Sequence, residues 1–223
     1  MDPFDPRSAI RKLKEIIIDI KPEDVIRDAR SAGLQVDSIE DFREQAKNYW
    51  RIEDVMVQYS GLASRYSAIS GATAGSGGVA TAITLGGVDI ANMAAQLYRL
   101  NQRLAVLNGF DVSNTLQREK TVEIYLYALG FDSVAQAAIR QQLARAAAIA
   151  GKRGAYSNYI LKLIILVATK LGATITTKQA AKFIPVVGAV AGASINYGFA
   201  GNAAKKMRSS FKDEYFRTWQ AGQ

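Results

Sequence analysis

The chain of 223 residues carries 28 Lys and Arg against 20 Asp and Glu, a formal charge of +8, and contains neither cysteine nor histidine. That length buries a sizeable core without a disulfide or metal staple. The missing residue types exclude thiol nucleophiles, Ser-His-Asp chemistry and every Cys- or His-ligated metal site, so any catalysis must run on carboxylates, Lys, Tyr or Ser-Lys arrangements.

Taken in order, Met1–Ser8 holds Asp2, Pro3, Asp5 and Pro6 and no apolar signal-peptide core, so a cytoplasmic chain is expected. A first helix opens near Ser8, carries Ile10, Leu13, Ile16, Ile17 and Ile20, and closes before Pro22. A second starts at Pro22, with Glu23 and Asp24 in its first turn, and stops at Gly33. Ser38-Ile39-Glu40-Asp41 has the form of a capping box and predicts a third helix. Tyr49 to Arg65 reads as helix as well. In 89–107, Ile90, Met93, Leu97, Leu100, Leu104 and Leu107 recur at alternating three and four, the seam of a buried helix that Asn108-Gly109 ends. Ser113 or Asn114 caps the next helix, which runs to Gly130, and Ser133 caps another that ends at Gly151. Helices over Tyr156–Phe183 and from Val186 to about Phe216, with Pro185 between them, complete the set.

Four prolines, none of them between Pro22 and Pro185, and no period-two alternation make this an all-α chain. The expected architecture is a single helical bundle of about seven to nine helices, with long Gly/Ala-rich buried helices. An N-terminal helical segment is assigned to 1–58 and the main helical domain to 59–223.

Two stretches carry no charge, Tyr66–Val88 and Phe183–Ala204. About 20 helical residues span about 30 Å of hydrocarbon, so both have the length to cross a bilayer. The first is small and polar rather than greasy, and the second contains Ser194, Asn196 and Asn202. Gly71/Gly75 and Gly188/Gly192 are spaced as GxxxG, and Ala74/Gly78 extends the first into a glycine zipper. Glycine inside a helix costs about 1 kcal/mol relative to Ala, so this many require a packing or conformational reason. Three arrangements satisfy it: helices packed face to face in a bundle, a transmembrane hairpin, or elements that open at a membrane. Gly75-Ser76-Gly77-Gly78 lacks the Lys and preceding strand of a phosphate loop. Asn196 needs partners for its amide if buried, and Tyr197 and Phe199 read as core.

Charge is distributed unevenly. From Ser133 to Lys212 there are twelve Lys and Arg and no Asp or Glu, which leaves the remainder of the chain at −4. Such asymmetry points to an anionic partner, or else to a solvated basic face. Arg140, Arg145, Lys152, Arg153 and Lys162, with Tyr156 among them, are the candidate lipid-binding residues, an aromatic-basic cluster suited to a headgroup layer. On the 89–107 helix, Asp89, Gln96 and Arg103 sit seven apart with Arg99 beside them. That polar stripe is a solvated face, or a charged contact with another helix or a headgroup. Asp89 could also cap the helix that follows it.

These landmarks together resemble the EcsC family. The resemblance lies in Gly71 to Gly78, Asp89 leading a helix with Arg99, Gly109-Phe110-Asp111, Ile184-Pro185-Val186-Val187-Gly188 with Gly192 and Asn196-Tyr197, and Phe216-Arg217. Asn108 departs from it, standing where a Tyr is expected before Gly109. The resemblance implies a helical bacterial protein with no assigned reaction and a membrane context, and it carries over no catalytic residues.

The expected function is therefore non-catalytic: a cytoplasmic, peripherally attached protein binding anionic phospholipid, or a membrane protein, through its basic C-terminal half. No cofactor or metal is expected. Alternatives are a lipid-acting hydrolase using carboxylates such as Asp89 or Asp111, and a membrane-inserting or pore-forming effector. Nucleic-acid binding is a further alternative, for which the chain has no helix-turn-helix or aromatic RNA-binding signature.

Overall fold

The computed structural model describes the backbone of residues 20–74, 79–150, 156–180 and 188–221. Within these it describes side chains except at 67–74, 79–89, 146, 147, 149, 150, 156–158, 172–180 and 188–196. The helix expected over 8–20 therefore lies almost wholly outside the described residues, which contain seven α-helices and no strand. These are α1 (Pro22–Ser31), α2 (Tyr49–Ala74), α3 (Val79–Leu107), α4 (Thr115–Ala128), α5 (Ser133–Ala150), α6 (Tyr156–Ala180) and α7 (Gly188–Trp219). The fold is all-α.

Helix ends follow from local chemistry. α1 starts on Pro22 with two acids in its first turn. The α1, α3 and α4 helices each stop on a glycine at positive φ, Gly33 (87°), Gly109 (78°) and Gly130 (85°). In each case the next amide bonds back to the last full turn, Leu34 to the Ala29 carbonyl, Phe110 to Ala105 and Phe131 to Leu126. That residue's side chain is then buried, which is the Schellman arrangement of a glycine stop followed by an apolar anchor. Asn114 caps α4, accepting from the Leu116 and Gln117 amides. For α5 the cap is Asp132, whose carboxylate accepts from the Ala135 amide at 2.8 Å, rather than the expected Ser133. The charged side chain one residue earlier meets the helix N-terminus better.

The third expected helix is corrected. The capping box does form, with the Ser38 amide donating to Asp41 Oδ2 at 2.9 Å and the Asp41 amide to Ser38 Oγ at 3.3 Å. It opens two tight 3₁₀ turns, Glu40–Glu44 and Ala46–Asn48, in place of an α-helix. The carbonyls that an α-helix would use internally are taken by side chains of α7 and the residue just after it. Tyr215 Oη donates to the Phe42 and Arg43 carbonyls, and Gln220 Nε2 donates to Arg43.

The chain divides into two compact units that interleave in sequence. The first comprises 1–19, 65–96 and 132–199, and in it α5 and α6 pack together. Ile139 and Leu143 of α5, and Ile160, Leu163, Ile164 and Val167 of α6, are buried. The second comprises 20–64, 97–131 and 200–223. Its core holds Phe42, Ile52, Met56, Leu97, Leu104, Tyr125, Phe211 and Tyr215, each large side chain contributing about 1.5–3 kcal/mol on burial. The seam of α3 is as expected from Met93 onward: Met93, Leu97, Leu100, Leu104 and Leu107 are all buried, while Ile90 is half-buried.

In the second unit α2 and α7 run antiparallel. Tyr49 stacks on Tyr215 and Phe216, Glu53 pairs with Lys212 at 2.9 Å, and Ser64 lies against Gly201. No helix of the described residues is long and apolar enough to cross a membrane.

Candidate functional site

The described members of the basic cluster are surface residues. Arg140 and Arg145 on α5 and Lys162 on α6 are exposed, on helices whose opposite sides carry the buried residues of the α5–α6 pair. Lys152, Arg153 and the Tyr156 side chain lie outside the described residues. In the second unit Lys205 and Lys206 of α7 are likewise exposed. None of these five described cations pairs with a described acid. Tyr197, expected in the core, is 52% exposed. The heptad line that buries Ala204 and Phe211 comes to the surface there.

Of the glycine positions, Gly71 lies within α2 and Gly188 and Gly192 within α7, while Gly75 and Gly78 lie outside the described residues. What these positions and the Asn196 side chain touch is also outside them.

The polar stripe is drawn differently from the expectation in one respect. Because α3 runs unbroken from Val79, Asp89 sits well inside the helix and does not cap it. The free amides of the first turn are at 79–82, two to three turns earlier. Gln96, Arg99 and Arg103 are half-buried. The Arg103 guanidinium lies 4.7 Å from the centroid of the Tyr59 ring, and Tyr59 Oη donates to Asp28 Oδ2 at 2.7 Å. The stripe thus contributes a cation to a three-helix cluster of α1, α2 and α3 in the second unit. Burial, and then the neighbouring Arg99, hold Arg103 below its ordinary value. Burial, then the bond to Asp28, push the Tyr59 phenol up. Asp28 and Tyr59 carried no signal in the sequence, since their partners are tens of residues away. A groove of about 590 Å³ along α1 is lined by Glu23, Ile26, Arg27, Arg30, Ser31 and Asp37 and by no member of this cluster. Its charges are largely matched, Arg27 with Asp24 and Arg30 with Asp37.

The turn after α3 is tied to α2, α7 and the 3₁₀ segment. Asn108 is fully buried. Its Oδ1 accepts from Tyr49 Oη at 2.8 Å, and its Nδ2 donates to the Leu104 carbonyl at 2.7 Å. Its carbonyl accepts from Trp219 Nε1 at 2.9 Å. Arg43 Nε donates to the Gly109 carbonyl while its guanidinium stacks on Trp219. A Cβ at Gly109 would meet Arg43 Cγ at 2.6 Å, so the close approach as well as the positive φ requires glycine. Asp111 accepts from both the Ser113 amide and hydroxyl, and closes the loop into α4.

A family model, the EcsC protein family, matches residues 8–212, and the chain belongs to that family. The match takes in both compact units. No curated protein and no solved structure matches the chain.

Proposed function

We propose that this EcsC-family protein attaches reversibly to anionic membrane through the basic region 133–212, without itself carrying out a reaction. The observation that carries this reading is the acid-free run of twelve cations; of its eight described members Arg140, Arg145, Lys162, Lys205 and Lys206 are exposed, while Lys170, Arg208 and Lys212 are half-buried. A cation near an anionic leaflet contributes about 1 kcal/mol, so a handful gives attachment that salt reverses. The weak hydropathy of the two uncharged stretches, with their many glycines and with Ser194, Asn196 and Asn202, supports surface attachment over a stable transmembrane hairpin.

The test is co-sedimentation with vesicles of phosphatidylglycerol or cardiolipin and with neutral phosphatidylcholine vesicles at low salt. The protein is expected to pellet with the anionic vesicles only. Arg140→Glu/Arg145→Glu, substitutions at exposed positions, should weaken pelleting at least tenfold, since two charges are reversed. Wild-type protein that stays in the supernatant with every anionic composition would sink the proposal.

A further inference from the structure

We infer that the α2–α7 face of the second unit is the part of the surface that enters the lipid interface, with Trp50 as its apolar anchor. This rests on the membrane reading above and specifies its orientation.

On α2, Trp50 and Val57 are two turns apart and so lie on one line of the helix; they are 55% and 53% exposed. Gly61 comes one turn later with open space where a Cβ would stand, and Leu62, 43% exposed, lies further round. These side chains make an apolar edge of α2 that the exposed Asp54 interrupts, and Leu116, Tyr127 and Phe216 are the other exposed large apolar side chains of the unit. Trp50 is also held in place. The Arg51 guanidinium covers one side of its ring at 4.6 Å and is fixed in turn by donating to the Ala32 carbonyl at 3.1 Å. An indole presented rigidly at the surface loses little freedom on insertion, and tryptophan favours the headgroup boundary.

The neighbouring helix supplies the charge. The contacts of Tyr49 with Tyr215, Glu53 with Lys212 and Ser64 with Gly201 set an antiparallel register that brings 205–208 of α7 alongside 57–61 of α2. Lys205 and Lys206 are exposed there and Arg208 is half-buried. The acids on the same face are Glu53, already tied to Lys212, together with Asp54 and Asp213, so cations are in excess. An apolar line edged by cations matches an anionic bilayer, which offers a negative sheet with hydrocarbon just beneath it.

The experiment measures tryptophan fluorescence on phosphatidylglycerol vesicles with acyl-chain-brominated lipid as quencher, alongside co-sedimentation. The chain has two tryptophans, and Trp219 is engaged beneath Arg43. Wild type should be quenched and Trp50→Phe, which leaves only Trp219, should not. Trp50→Ala should weaken vesicle partition about tenfold or more, the effect of losing a large buried apolar side chain. Circular dichroism should show both variants folded, since the position is exposed. As a second probe, Val57→Asp should weaken partition similarly. If the protein pellets with anionic vesicles yet wild type and Trp50→Phe quench alike, the α2–α7 orientation is overturned while the membrane reading stands. If wild type does not pellet, both fall.

Discussion

Asn108 shows how a single departure from an expected residue is accommodated by its surroundings. The family resemblance anticipates an aromatic ring before Gly109. The structure instead has a short amide, fully buried, whose oxygen is met by the hydroxyl of Tyr49 on α2. A buried amide is tolerated only when its donors and acceptor are matched, and here the Leu104 carbonyl and Tyr49 do so. Replacing Asn108 by Ala removes those bonds and leaves the Tyr49 hydroxyl without its acceptor. The expected cost is about 1–3 kcal/mol in urea unfolding. Tyr49→Phe removes the hydroxyl but strands the buried Asn108 Oδ1 in turn, so it should also cost about 1–3 kcal/mol. The double variant should then be less destabilised than the sum of the two, and strict additivity would show that the two side chains are not coupled.

At the scale of elements, the sequence conveyed what is local and missed what is made by distant partners. The leucine seam of α3, the Pro22 start and the Gly33, Gly109 and Gly130 stops were legible because each depends on neighbours within a few residues. The 38–48 segment departs from its sequence pattern because its capping box is real, but its helix is overridden by Tyr215 and Gln220, whose bonds to Phe42 and Arg43 span more than 170 residues. The Asp28–Tyr59–Arg103 cluster was invisible for the same reason. Tyr215 therefore acts as the strut of the 3₁₀ segment. Tyr215→Phe should speed amide exchange at Gln45 and Asn48 while leaving the α3 seam protected. Burial pushes the Tyr215 phenol up to about 12. Its folded value lies above the unfolded value of about 10, so its contribution to stability is complete below about pH 10 and is lost as pH rises from there toward 12. In unfolding measurements taken through that window, wild type should lose stability more steeply than Tyr215→Phe.

For the whole molecule the relevant quantity is the segregation of charge along the chain rather than its total. Twelve cations without an acid fall in 133–212 and are drawn from both compact units, while the remaining sequence is net negative. Attachment by charge alone should fade as ionic strength rises, because the screening length shrinks from about 30 Å at 0.01 M to about 3 Å at 1 M. An apolar anchor is indifferent to that screening, and salting-out strengthens it if anything. The two contributions therefore separate in one titration. Phosphatidylglycerol vesicle binding by wild type should drop steeply between these limits and level off at a small residual. Arg140→Glu/Arg145→Glu should lower the low-salt end and leave the residual, whereas Trp50→Ala should abolish the residual and keep the slope. A wild-type curve that stays flat across the whole range would mean that the cations of 133–212 are solvating charge, and that attachment, if present, is apolar throughout.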